Sequence, residues 1–329
     1  MKESRGRAVG PWSQLIVTPS TANDRGSPNP LTNMDGFGVG WWTTGYYAFE
    51  SGCDENSPDA LRPVVYHSTR PPLNDRVLAS LARGVSTPAI LAHIRAGTGL
   101  TPVVETNCHP FPFGRHLFAH NGVLGSFHLF KVNLLAGLPL RYQQAILGTT
   151  DSEHIAALYF LHLCGPDGDW EKLHHIDEMT AAMEKTVSQL RGLKRAVEQK
   201  NPPQSRGHGH GGGGSEPTTL NLVVSSGRSL VAIRYSEDRE APSLYYSTVA
   251  GATINRKFKG HPDDTTNNDL HGHGLEKSRH GEHIIVASEP STLNSAEWEL
   301  LPEGKMIAVD EDMKMEVKDI VLGDTEKTG

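Results

Sequence analysis

The stretch Glu105 to Gly122 reads ETNCHPFPFGRHLFAHNG. It sets a cysteine beside a histidine and then runs through a short apolar segment, His116 to His120, that ends on an Asn-Gly pair. The apolar segment predicts a core strand. Asn121 and Gly122, just beyond it, can turn a side-chain amide and a backbone N–H toward one point, which is the geometry of an oxyanion hole. A simple turn is the ordinary use of that dipeptide. Cys108 and His109 are neighbours on extended chain, so their side chains leave on opposite faces and do not share a proton easily. Cys108 is therefore expected to be a packed thiol, and the stretch to serve a nucleophile that lies elsewhere.

The flanking sequence predicts strands, then helices, then strands again, a mixed layered domain rather than a doubly wound parallel sheet. Residues 1–33 show little periodicity and are expected to form an irregular N-terminal segment. Gly36 to Tyr47 (GFGVGWWTTGYY) predicts a buried strand or tight hairpin, and Ala89 to Ile94 a core strand. Asn74 to Gly84 predicts a short helix with apolar Val77, Leu78, Leu81 and Ala82. Thr150 and Glu153 fit the two ends of a capping box that opens a helix through Leu163. A longer helix is expected from about Glu171 to Lys200, with Leu173, Ile176, Met179, Met183, Val187 and Leu190 at helical spacing. LNLVVSSGRSLVAIRYS predicts a hairpin turning at Ser226-Gly227-Arg228, and HIIVASEP and KMIAVDEDMKMEV predict further strands. Residues 34–320 are thus expected to form one domain, with disordered insertions near 201–217 and 253–281 and a tail over 321–329.

The formal net charge of the 329-residue chain is -7 and no basic block stands out, which argues against nucleic acid and membrane surfaces as partners. Cys53, Cys108 and Cys164 are an odd count with no CxxC pair, which suits a reducing, cytoplasmic setting better than a disulfide framework. His208 and His210, and His271, His273 and His280, lie in Gly-rich or polar tracts without a rigid frame to orient them, so no metal is expected there. No cofactor is expected either.

Further motifs join the Asn-Gly pair. Arg95, in LAHIRAGTG, follows an apolar strand, and its planar fork can hold a carboxylate bidentately; a structural ion pair is the ordinary alternative. Asp151, in TTDSEH, opens a helix and can bind an ammonium, where an acid stabilising the helix dipole is the ordinary explanation.

In this order, DGFGVGWW, AHIRAGTG, ETNCHPF, AHNG, TDSE and the later VASEP resemble the class II glutamine amidotransferases of the N-terminal-nucleophile hydrolase group. The likeness extends to the amidotransferase-like subunits of fungal glutathione-degrading complexes. It is strong from Asp35 to about Leu163 and looser from Thr219 to Val309. The resemblance implies an α+β fold, a four-layer αββα sandwich, and hydrolysis of a γ-glutamyl amide bond in glutamine or glutathione. It implies that Arg95 holds the substrate α-carboxylate, Asp151 the α-ammonium, and Asn121 with Gly122 the oxyanion. Thr98 and His109 would line the pocket. It also implies a peptidase-like protein partner. Ala96 stands where many amidotransferases carry an aromatic residue. The family's nucleophile is an N-terminal cysteine whose own α-amine takes the thiol proton. This chain opens Met1-Lys2-Glu3, so the nucleophile is expected outside it, in a form opening Met-Cys; a degenerate homologue that binds without turnover is the alternative.

Overall fold

The computed structural model describes residues 14–19, 35–45, 60–97, 101–200, 216–237, 239–251, 283–292 and 294–323, the first stretch by its backbone. The strands are β1 (Gln14–Pro19), β2 (Phe37–Thr43), β3 (Arg62–Ser68), β4 (Ile90–Ile94), β5 (Phe111–Phe113), β6 (His116–Val123), β7 (Thr218–Ser225), β8 (Leu230–Glu237), β9 (Tyr245–Ser247), β10 (Ile284–Ala287), β11 (Glu299–Leu300), β12 (Lys305–Val309) and β13 (Met315–Asp319). The helices are α1 (Arg76–Gly84), α2 (Phe127–Ala136), α3 (Leu140–Ala145), α4 (Asp151–Cys164) and α5 (Ile176–Lys200). One sheet has the order β11-β9-β10-β1-β4-β2-β3, the other β13-β12-β8-β7-β6-β5. Every pairing is antiparallel except those of β1, which runs parallel to both β10 and β4.

Strand periodicity assigns each face. On β6 and β7, Phe118, Leu220, Leu222 and Val224 face the helices α2 to α5, while Leu117, Ala119 and Val223 face the other sheet. On β8 and β12, Val231, Ile233 and Met306 join the first group and Leu230, Ala232, Ile307 and Val309 the second. The second sheet is therefore buried on both faces, with helices on one side and the first sheet on the other, as an N-terminal-nucleophile αββα sandwich requires. A third cluster, Ala250, Ile285, Ala287 and Trp298, covers the opposite face of the first sheet. Trp42 is fully buried between the sheets, and its Nε1 donates to the Arg115 carbonyl at 2.9 Å. A Cβ on Gly227 would lie 2.5 Å from the Trp42 ring, and φ there is +82°, so the hairpin turn at Ser226-Gly227-Arg228 admits glycine on two counts.

Several expectations are corrected. Residues 1–33 are not irregular throughout, because Gln14–Pro19 forms β1 between β10 and β4. Its apolar core LIV suits a strand with neighbours on both sides, but six residues amid Pro and Gly gave too short a pattern to read. Helix α1 is capped by Asp75, whose Oδ1 accepts from the Leu78 N–H at 2.8 Å, and not by Asn74; it buries none of its residues. Helix α5 begins at Ile176 rather than Glu171, with Glu178 reaching back to the His175 N–H at 3.0 Å. Thr150 does cap α4 through the Glu153 N–H at 3.3 Å. Glu153 does not reciprocate; its carboxylate accepts from Leu147 N–H at 2.8 Å and Gly148 N–H at 2.6 Å. Asn121 and Gly122 lie inside β6, paired with Asn221 and Leu220, rather than beyond a strand. The insertion near 201–217 is described from Glu216, whose carboxylate accepts from the Ser126 N–H at 2.8 Å; residues 201–215 and 253–281 lie outside the described residues.

Candidate active site

The two sheets meet an opening where β4, β6, β10 and the first turn of α4 converge, and a cavity of about 340 Å³ lies there. That falls in the range of about 300–1,000 Å³ usual for small-molecule sites. Arg95, His109, Asn121, Gly122 and Asp151 all line it. Thr98 lies outside the described residues, as do His208, His210, His271, His273, His280 and Cys53.

Arg95 leaves the end of β4, its backbone N–H held by the Gly36 carbonyl at 2.8 Å. The residue is 4% exposed, and Nη1 donates to the Asp35 carbonyl at 3.4 Å. The Asp35 carboxylate instead accepts from the Gly97 N–H at 2.7 Å. Among the described residues no carboxylate pairs with the guanidinium within 4.0 Å, so the structural ion pair considered above is not formed there. A buried guanidinium without a counter-ion is costly, and a carboxylate brought by a ligand would satisfy it.

His93, two residues before Arg95, shares its face of β4, and its ring lies 4.1 Å from that of His109. His93 Nδ1 and both ring nitrogens of His109 are buried without a hydrogen-bond partner. Burial, with His120 and Arg95 nearby, pushes His93 down to about 3; burial and the surrounding histidines hold His109 well below its ordinary 6.5. Both rings are therefore neutral at pH 7, each with one N–H donor and one acceptor nitrogen. Next to His109, the Cys108 thiol faces the other way, toward the carbonyls of Val104 at 3.6 Å and Ser68 at 3.8 Å. Burial pushes that thiol up to about 11, only partly offset by Arg95, and the Cys164 thiol up to about 12. Neither is an activated thiolate at neutral pH. Asn107, fully buried, ties this segment to the start of α4: its Oδ1 accepts from the Thr149 N–H at 2.8 Å and its Nδ2 donates to the Pro102 carbonyl at 2.9 Å.

Asn121 Nδ2 donates to Ser288 Oγ at 3.1 Å, which orients the amide and leaves its second N–H for another acceptor. Gly122 has φ +151°, and a Cβ there would sit 2.0 Å from the Thr219 carbonyl oxygen and 2.8 Å from His120 Nε2. Asp151 Oδ2 accepts from the Leu124 N–H at 2.8 Å and Oδ1 from the Ser152 N–H at 2.8 Å, which fixes the carboxylate at the cavity wall. His120 donates from Nε2 to the Thr219 carbonyl at 3.1 Å, so in the neutral ring Nδ1 is the acceptor facing Ser152 Oγ at 2.9 Å. A cationic and an anionic side chain in one cavity, with amide and backbone donors between, match the charges of an α-amino acid.

Not anticipated from the sequence are His93, His120, Ser152, Ser288 and Glu289 as wall residues, although each sits inside a quoted motif. Arg239 and Ser243 also line the cavity, and the loop REAPS carried no local signal for them. Among the described residues no cluster of three or more His, Cys, Asp or Glu could hold a metal ion, and no helix is long and apolar enough to cross a membrane.

No family model matches the chain. A protein of Saccharomyces cerevisiae (strain ATCC 204508 / S288c), named as probable glutamine amidotransferase DUG3, is 28% identical over 286 residues, covering 84% of this chain and 70% of its own length. The solved structure of a glutamine aminotransferase class-II domain protein from Silicibacter pomeroyi has a TM-score of 0.53 and 24% identity, over 86% of this chain and 90% of that one; that likeness concerns the fold alone. The chain is thus similar in sequence, distantly, to a glutamine amidotransferase, and similar in fold to a class-II domain protein.

Proposed function

From that similarity and the motifs in the sequence we propose that the protein binds the γ-glutamyl end of a small amide and hydrolyses its γ-amide bond. One observation carries the reading: the nearly buried, unpaired guanidinium of Arg95 lines the same cavity as the Asp151 carboxylate and the Asn121-Gly122 pair. In this reading Arg95 holds the α-carboxylate and Asp151 the α-ammonium. A thiolate attacks the γ-carbonyl, the Asn121 amide with the Gly122 N–H receives the oxyanion, the amine departs, and water then cleaves the γ-glutamyl thioester to glutamate and the free thiol. His109 completes the wall, and the resemblance gives Thr98 the same part. The thiol comes from neither Cys108 nor Cys164, whose pKa values lie far too high. Glutathione is the substrate we favour, by the motifs shared with subunits of glutathione-degrading complexes. A cytoplasmic site of action and a peptidase-like partner, which would take the released dipeptide, belong to the same reading.

The inert state of both described thiols favours one second reading, a glutamyl-binding subunit without turnover. Calorimetric titration with glutamine and glutathione, followed by a glutamate-release assay on a version opening with cysteine, separates the two. Binding that weakens by about tenfold or more in Arg95→Gln, together with glutamate release, supports the hydrolase. Binding without release leaves the subunit reading; unchanged affinity in Arg95→Gln rejects the mapped pocket.

A further inference from the structure

Among the described residues four charged side chains line the cavity, and the γ-glutamyl reading uses two of them. Arg239 comes from the connection between β8 and β9, and Glu289 follows β10 by two residues. Opposite charges at a cavity wall usually neutralise each other, but no ion pair joins these two within 4.0 Å. Among the described residues Arg239 is engaged through its carbonyl, which accepts from Ser236 Oγ, and its guanidinium pairs with no carboxylate. Glu289 Oε1 accepts from Ser243 Oγ at 3.1 Å, which steadies the carboxylate and leaves it charge-unpaired.

The loop that presents Arg239 and Ser243 is held by an unusual investment. Arg234, 7% exposed on β8, spends its guanidinium on carbonyls: Nε on Pro242 at 2.8 Å, Nη2 on Ala241 at 2.8 Å and Nη1 on Leu301 at 3.0 Å. Asn221 Nδ2 adds a bond to the Ser243 carbonyl at 2.9 Å, and the Glu303 carboxylate accepts from the Ala241 N–H at 3.2 Å. A buried arginine committed to backbone carbonyls fixes the loop at the cavity mouth instead of forming an ion pair. The wall is therefore rigid where Ser243 stands, with one unmatched positive and one unmatched negative group beside it.

Resting on the γ-glutamyl reading and deepening it, we infer that Arg239 and Glu289 form a half-site for the leaving group, in which Arg239 takes the terminal carboxylate of a γ-glutamyl peptide. Free glutamine presents one carboxylate and one ammonium, and Arg95 with Asp151 consume both. A peptide leaving group brings a further carboxylate for Arg239 and further N–H donors for Glu289, so all four charges find partners. Arg239 is thus a specificity-determining residue at the solvent side of the cavity, where it is exposed and free to meet a ligand that extends outward.

The test is calorimetric titration of the full chain with L-glutamine, γ-glutamylglycine and γ-glutamylglycinamide, which differs from the second ligand in lacking the terminal carboxylate. The wild-type chain should bind γ-glutamylglycine about tenfold more tightly than the glycinamide, the scale of one partly exposed charge-assisted contact. Arg239→Gln should erase that preference, and Arg239→Lys should restore part of it. Arg95→Gln should weaken all three ligands alike. Equal wild-type affinity for the two dipeptide probes, or a preference that survives in Arg239→Gln, overturns the half-site while leaving the γ-glutamyl pocket in place. Failure of all three ligands to bind overturns the pocket and the half-site together.

Discussion

Acid should destabilise this protein steeply, because it buries several neutral histidines. His116 is fully buried on β6, its ring 5.5 Å from that of Phe160. Burial, then the charges of His174 and Arg115, push it from 6.5 down to about 3. A histidine with a depressed folded pKa binds its proton in the unfolded chain first, so stability is complete above about 6.5 and falls as the pH drops toward 3. Between pH 7 and 5 this one ring costs about 2 kcal/mol, since each unit below 6.5 is worth about 1.4 kcal/mol. His93 and His109 act in the same sense. His93, also pushed down to about 3, adds a cost of similar size, and the two are already a large part of the ~5–15 kcal/mol total stability usual for a domain. Glu153 opposes them, because burial raises its carboxyl and the folded state takes up that proton early. Urea unfolding at pH 7, 6 and 5, followed by tryptophan fluorescence, measures the slope. Replacing His116 with Phe, which fits the aromatic surroundings and cannot ionise, should return about 2 kcal/mol of the loss at pH 5. Equal pH dependence in the wild-type and His116→Phe chains would refute the assignment of that proton to a buried neutral ring.

Gly122→Ala should destabilise the fold by about 2–4 kcal/mol and weaken ligand binding, since the new methyl would have to push β7 away at the Thr219 carbonyl in a backbone conformation that favours glycine; a change below about 0.5 kcal/mol in urea unfolding would contradict it. Cys108 and Cys164 should resist iodoacetamide in the native chain at pH 8 and react fully in urea. With Cys108 at about 11 rather than 9, its thiolate fraction is about a hundredfold lower than that of an unperturbed thiol. Peptide mapping after a timed pulse reads each thiol separately, and native labelling of Cys108 at the unfolded rate would show that it is neither packed nor silent.

What the sequence by itself determined was local and periodic. Alternation along LNLVVSSGRSLVAIRYS set the faces of β7 and β8 and the turn at Gly227, because a period of two and a glycine at positive φ are both written in consecutive residues. The same holds for the helical spacing of Met179, Met183, Val187 and Leu190, all buried on α5. Helices α2 and α3 were not legible: FHLFKVNLLA is apolar on nearly every side, and its Ser126 start makes no side-chain cap to its own helix. Of the cavity, the order of Arg95, His109, Asn121-Gly122 and Asp151 could be read in advance as motifs. Their convergence could not, since it depends on β4 and β6 lying in different sheets and on Asn107 bridging to Thr149, 42 residues away. Only the tertiary structure brought Arg239, Ser243, Ser288 and Glu289 to the same wall from more than 80 residues further along the chain. Nor could spacing reveal whether Arg95 was spent on an internal ion pair. That is settled by which carboxylates folding brings within reach of a buried guanidinium, and among the described residues none comes within 4.0 Å.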